Sequence, residues 1–238
     1  MQHKKLAILV GGEFREFPSC YPTWRELTDI NNDVFISTWD HTEEQNTKMN
    51  INVTKRITPN DIHDVCPNAI INIETISPSL NLSRSSHKQI YHWRKLFNML
   101  FQSNYCYDTV LLTRPDIFLK LNNFQDYLRN ISDDRIYGIG PVQQQPSPVF
   151  AYVQDVLFFG KTARMTEAFR GLPFYGTEVK DIHYHLAKHF VINDIYVQSV
   201  PNNVLDFIIF RSSMLGHENA DWQTLHNMAI EWLDNKHR

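Results

Sequence analysis

Leu6-Ala7-Ile8-Leu9-Val10 is apolar at every position and stops at Gly11-Gly12. A strand with one wet face alternates apolar and polar residues, so a run with no polar position must be covered on both faces. This requirement narrows the fold more than any other feature. It asks for a sheet held between two layers, which parallel strands joined by crossover helices provide. Val34 to Ser37, Ala69 to Ile73 and Thr109 to Thr113 supply further strands. Helical signals fall between them. A helix is expected around Thr23 to Ile30. Thr58-Pro59-Asn60-Asp61 reads as a helix start, with Thr58 as N-cap and Pro59 in the first position. Ile90, Trp93, Phe97, Leu100 and Phe101 recur at helical spacing and predict a long helix over Ser86 to Asn104. Residues 41–56 are polar and Asn-rich and read as loop. This alternation predicts a single doubly wound α/β domain with a mostly parallel sheet flanked by helices.

The second half is less regular. Strands are expected at Val153 to Phe159, Ile195 to Gln198 and Phe207 to Phe210, and helices at Thr162–Arg170, Thr177–His189 and Ala220–Leu233. Gln143 to Pro148 reads as a loop. With 238 residues, 42% of them apolar and 13% aromatic, a sizeable core can form and wholesale disorder is excluded. The net charge of −3 argues against the broad basic face of a nucleic-acid binder. Three widely spaced cysteines, Cys20, Cys66 and Cys106, argue against a disulfide framework and a cysteine zinc site, and for a reducing compartment. No apolar run approaches the ~18 residues of a membrane span. The first apolar stretch is too short for a secretory signal, so the expected setting is the cytoplasm.

Three segments place chemistry at strand ends, where open α/β sheets bind ligands. In Gly11-Gly12-Glu13-Phe14-Arg15, the glycines allow close backbone approach to a nucleotide and Arg15 can meet a phosphate or base; the plainer reading is a tight turn. It matches neither the dinucleotide-binding glycine fingerprint nor a P-loop. In Asp33 to Asp40, Thr38 and Asp40 can bond a base or ribose, or simply cap a strand end. In Tyr107 to Ile117, an apolar strand ends in Arg114-Pro115-Asp116. Asp116 can ligate a divalent ion that bridges a diphosphate, with Arg114 on the phosphate. Alternatively, Arg114 and Asp116 pair with each other.

Taken in order, these segments resemble small glycosyltransferases of the GT-A fold, encoded by bacteria and large DNA viruses, often for surface polysaccharide. The resemblance covers roughly residues 5–190. It rests on the first strand with its glycines and Arg15, on Asp33-Val34-Phe35-Ile36-Ser37-Thr38-Trp39-Asp40, on the helix opened by Gln89, and on Tyr107-Asp108 leading to Arg114-Pro115-Asp116. Gln154-Asp155-Val156-Leu157-Phe158-Phe159-Gly160 with Met165, and Thr177-Glu178, continue it. It implies a GT-A-like, Rossmann-type sheet with a nucleotide-binding half at about 1–120 and a sugar and acceptor half at about 121–238. It also implies a nucleotide-sugar donor, with a UDP-sugar the first choice, and Mn²⁺ or Mg²⁺ on its diphosphate. The family's metal motif is Asp-x-Asp, whereas this chain has Asp116 as the only carboxylate there. A second ligand is then needed, and His217 is the candidate, against the plainer reading of a loop histidine.

Asp155 and Glu178 are the candidates for work at the acceptor, where a carboxylate base can take the hydroxyl proton. Their plainer readings are a strand-start hydrogen bond and a charge complementing a helix dipole. Arg94 and Arg211 can reach the nucleotide or sit as surface cations. His183, His185 and His189 read as a histidine-decorated helix rather than a zinc site, since His183 turns away from the face shared by the other two. The expected function is sugar transfer to a hydroxyl acceptor, first of all a glycan. The competing readings are a non-catalytic nucleotide- or sugar-binding module and a phage enzyme acting on modified DNA bases. A nucleotidyltransferase fits less well, because it would carry a richer Gly/Arg/Lys loop after the first strand.

Overall fold

In the computed structural model, the fully apolar first run lies inside β1 (Gln2–Gly11) and is paired on both sides by parallel strands. Residues 2–14, 16–28, 32–46, 51–76, 85–139, 142–143, 152–173 and 182–209 are described, with 227, 228, 231 and 235 as helical positions. After β1 come α1 (Phe17–Cys20) and a 3₁₀ turn over Tyr21–Leu27, then β2 (Asn32–Trp39), β3 (His41–Asn46), β4 (Ile51–Arg56), α2 (Pro59–His63) and β5 (Ile70–Glu74). The long helix α3 (Ser85–Gln102) leads to β6 (Tyr105–Thr113), β7 (Ile117–Leu121), α4 (Phe124–Arg129) and β8 (Ile136–Gly138). The short strands β9 (Val142–Gln143) and β10 (Tyr152–Val153) precede β11 (Leu157–Lys161). The chain continues with α5 (Thr162–Phe169), α6 (Ile182–Ile192), β12 (Val197–Ser199) and β13 (Leu205–Ile209).

The fold is a single α/β domain whose main sheet has seven strands in the order β12-β8-β11-β6-β1-β2-β5. Every neighbouring pair is parallel except those made by β11, which runs antiparallel to both β6 and β8. The pleat of β1 splits its side chains between two cores. Leu6, Ile8 and Val10 join Phe14, Phe17, Trp24 and Leu27 on one face. Ala7 and Leu9 join Trp93, Leu96 and Phe97 of α3 and Phe169, Leu186 and Phe190 of α5 and α6 on the other. The sheet is thus covered on both sides, as its apolar strands require. No described helix is long and apolar enough to cross a membrane.

Several elements differ from expectation. In place of a helix from Thr23, Phe17 starts a short α-turn that tightens into the 3₁₀ segment ending at Leu27; Asp29 and Ile30 lie outside the described residues. Tertiary bonds pin this segment to β7: the Trp24 Nε1–H donates to the Ile117 carbonyl at 2.8 Å, and the Leu119 N–H donates to Thr23 Oγ1 at 3.1 Å. Within the stretch read as loop, β3 and β4 form an antiparallel pair with His41 opposite Arg56. The strand expected over Val153 to Phe159 is two strands, broken at Gln154–Val156. The strands β7 and β8 and the helix α4 were not anticipated. The capping box at Thr58 and Asp61 formed as read. Most of the last expected helix and most of the Gln143–Pro148 loop lie outside the described residues.

Candidate functional site

The register collects the polar strand ends on one edge of the sheet. Gly11 lies beside Ser37, Ser37 beside Asn72, Val10 beside Thr113, and Thr113 beside Leu157. Because β11 runs backwards, its preceding residue Asp155 arrives at the same edge that β1, β2, β5 and β6 leave. Ligands of open α/β sheets settle at such a carboxyl edge.

The two glycines are explained first by packing. A Cβ on Gly11 would lie 3.0 Å from Leu96 Cδ1 and 3.0 Å from Trp93 Cδ1, so α3 is seated directly on β1. Gly12 has φ of 135°, a backbone that L side chains rarely adopt, and its Cβ would meet Pro115 Cδ at 3.2 Å. Its N–H donates to the Ser37 carbonyl at 3.1 Å, and the Gln89 side-chain amide donates to the Gly11 carbonyl at 3.1 Å.

Arg114 is the hub of the edge. Its Nε–H donates to Asp116 Oδ1 at 3.0 Å and its Nη2–H to Asp116 Oδ2 at 2.8 Å, a two-pronged pair. Its Nη1–H donates to Asp155 Oδ2 at 3.2 Å. Burial works to lower the guanidinium pKa, but the two carboxylates outweigh it and raise the pKa above its ordinary value. His183 of α6 stands 3.8 Å from Asp155 Oδ1, with its Nδ1 bonded to the Val153 carbonyl at 3.0 Å. The sequence anticipated an Arg114–Asp116 pair as the plainer reading. It did not reveal that Asp155, from the other half, shares the same guanidinium.

At the end of β2, Asp40 accepts from His41 Nδ1 at 2.7 Å and from the Thr75 hydroxyl at 2.8 Å, and these bonds hold its carboxyl below the usual range. Thr38 is fully buried, and its hydroxyl has no hydrogen-bond partner among the described residues. Beneath them, His92 Nδ1 meets Ser37 Oγ at 2.8 Å, and Asn72 donates to the same oxygen at 3.3 Å. Burial pushes the His92 pKa down to about 3, so the ring is neutral. Its plane stands against Trp39, which stacks on Tyr91. Sequence reasoning named Gln89 only as the opening of a helix and missed Tyr91 and His92. The available signal was two polar-tipped aromatic rings, Tyr91 and His92, within one turn of Gln89 on the predicted helix.

Arg94 is exposed on α3. Arg15, Glu178, Arg211 and His217 lie outside the described residues. His185 and His189 are buried under α6 rather than displayed on its surface, and His189 Nε2 bonds the Ala168 carbonyl at 2.9 Å. Cys20, Cys66 and Cys106 form no disulfide.

A divalent ion at Asp116 would have to share oxygens with the Arg114 guanidinium, a competing cation. Both oxygens of Asp116 already accept from Arg114, and the carboxylate is almost fully buried. Among the described residues there is no group of three His, Cys, Asp or Glu side chains able to hold a metal. The described donor set therefore does not fit a metal site. At the opposite edge of the sheet, a cleft of about 440 Å³ is lined by Leu6, Asn32, Thr109, Lys161 and neighbouring polar residues, far along the strands from Arg114.

No protein-family model matches this chain, and no curated protein matches it either.

Proposed function

We propose that this protein transfers a sugar from a nucleotide-sugar donor, a UDP-sugar in the first instance, to a hydroxyl acceptor, a glycan in the first instance. One observation carries the reading. Gly11–Gly12, Thr38–Asp40, Arg114–Asp116 and Asp155 come from separate strand ends to a single carboxyl edge, on both sides of the point where the strand order reverses between β1 and β6. A mostly parallel sheet with one antiparallel strand also suits the GT-A-like architecture that the resemblance implies.

In this reading the donor lies along the edge beside Gly12, whose own missing side chain makes room for Pro115. Asp40, whose side chain is partly exposed, takes the base or ribose; Thr38, named with it, is fully buried and out of a ligand's reach. Asp155 receives the acceptor proton at Oδ1, since Oδ2 is held by Arg114. Glu178, the other carboxylate named for this role, lies outside the described residues. No step is assigned to a metal ion.

Isothermal titration of the protein with UDP, GDP and CMP tests the donor class. UDP should bind clearly more tightly than the other two, and equal or absent binding of all three would overturn it. Release of UDP from a donor panel without acceptor separates an enzyme from a silent binding module, which would bind and release nothing.

A further inference from the structure

The metal reading places Asp116 with the diphosphate and the acceptor reading places Asp155 with the incoming hydroxyl. In the folded chain the two carboxylates grip one guanidinium. Two acids and one base leave the trio with a net charge of −1. A diphosphate brought against it would meet like charge, and no cation ligand set among the described residues offsets that repulsion.

A neutral polyol meets no such barrier. An arginine has five N–H donors, and the three bonds above leave one on each terminal nitrogen. Arg114 holds Asp155 by Oδ2 alone, so Oδ1 of Asp155 is the acceptor on which the pair can draw. Arg114 therefore offers two N–H donors beside the Asp155 Oδ1 acceptor, the pattern that two adjacent hydroxyls of a sugar ring complement. The graded exposure agrees: 19% of the Arg114 side chain is exposed, against 9% for Asp155 and 5% for Asp116. Arg114 is the most exposed of the three, and both carboxylates are buried.

We propose that Arg114 and Asp155 form a subsite for a neutral vicinal diol of a sugar ring, and that Asp116 is a positioning residue that fixes the guanidinium. This rests on the sugar-transfer reading only for what the sugar is doing there. The diphosphate then lies elsewhere along the edge, toward Gly12 and β2.

The test follows the Arg114 Nε–H signal in the ¹⁵N-labelled full chain, assigned by its loss in Arg114→Lys. The titrants are UDP with Mg²⁺, UDP with EDTA, and a panel of methyl hexosides with their deoxy analogues. At least one hexoside should move the signal, its deoxy analogue should move it less, and Asp155→Asn should weaken that hexoside by about ten-fold. Asp116→Asn should leave UDP affinity within about two-fold in either buffer while broadening the Arg114 signal, as a loosened fork would. If Asp116→Asn does not fold, Arg114→Lys is titrated with UDP in its place and should likewise keep UDP affinity. Two results overturn the proposal: no hexoside moves the signal, or UDP binding collapses in either variant with Mg²⁺ but not with EDTA. Failure of wild type to bind any nucleotide would sink the transferase reading separately, and the hexoside arm would still decide the diol subsite.

Discussion

At residue scale the decisive side chain is Arg114. A buried ion cluster is weak evidence for stability, but breaking one is expensive because the surviving charges are left uncompensated. Arg114→Met strands Asp116 and Asp155 facing each other and should destabilise the protein by about 3–5 kcal/mol. Urea unfolding at pH 7 measures it, and a loss below about 1 kcal/mol would mean that solvent already screens the pair. The sequence made the Arg114–Asp116 half of this cluster legible, since two residues flanking a proline at a strand end have few other places to turn. It hid the Asp155 half, because bringing residue 155 to residue 114 requires β11 to run backwards. Strand direction leaves no mark in the apolar run Leu157–Phe159. The glycines were legible as special but not for the right reason: the sequence suggested room for a nucleotide, and the structure shows room for α3 and Pro115.

At the scale of elements, α3 was the most readable part of the chain, because its apolar repeat runs from Ile90 to Phe101, about three turns, and nothing competes with it. Its core contact is Trp93, fully buried against Phe158 and Phe169 and close to the missing Cβ of Gly11. Trp93→Ala should cost about 3–5 kcal/mol, part lost burial and part cavity. A Tm shift of a few degrees or less would indicate that α3 slides inward to fill the space. The tight 3₁₀ segment was illegible for the opposite reason. Its shape is set by the Trp24 and Thr23 bonds to β7, about a hundred residues away in sequence, and no local pattern announces them. The β3–β4 hairpin escaped notice because its polar composition mimics a loop, while pairing between two strands depends on register rather than apolarity.

At the scale of the molecule, stability should depend on acid through the layer beneath the edge. His92 is packed with Ser37 and Trp39 and feels Glu74 and Lys95, and its pKa of about 3 lies below the ordinary 6.5. The unfolded chain therefore binds a proton that the folded chain refuses. That contribution is fully present above about pH 6.5 and is lost as pH falls toward 3, with a slope approaching 1.4 kcal/mol per pH unit. Asp40, whose carboxyl is held low by His41 and Thr75, adds its own loss in the same direction at the acid end. Denaturant midpoints measured from pH 7 to pH 4 should fall steeply for the wild type and less so for His92→Gln. Parallel curves for the two proteins would assign the acid sensitivity to other groups.

The central position of β1 has a consequence for how the protein is made. Its partner on one side, β2, follows within a few dozen residues, but its partner on the other, β6, pairs Thr109 with Leu6. Until the ribosome has delivered that stretch, a strand apolar at five successive positions keeps one edge open, and its neighbours lack the α3 cover. The nascent chain thus spends about a hundred residues of synthesis with its stickiest surface bare. Its yield in a cell should depend more on elongation speed and chaperone supply than on the stability of the finished fold.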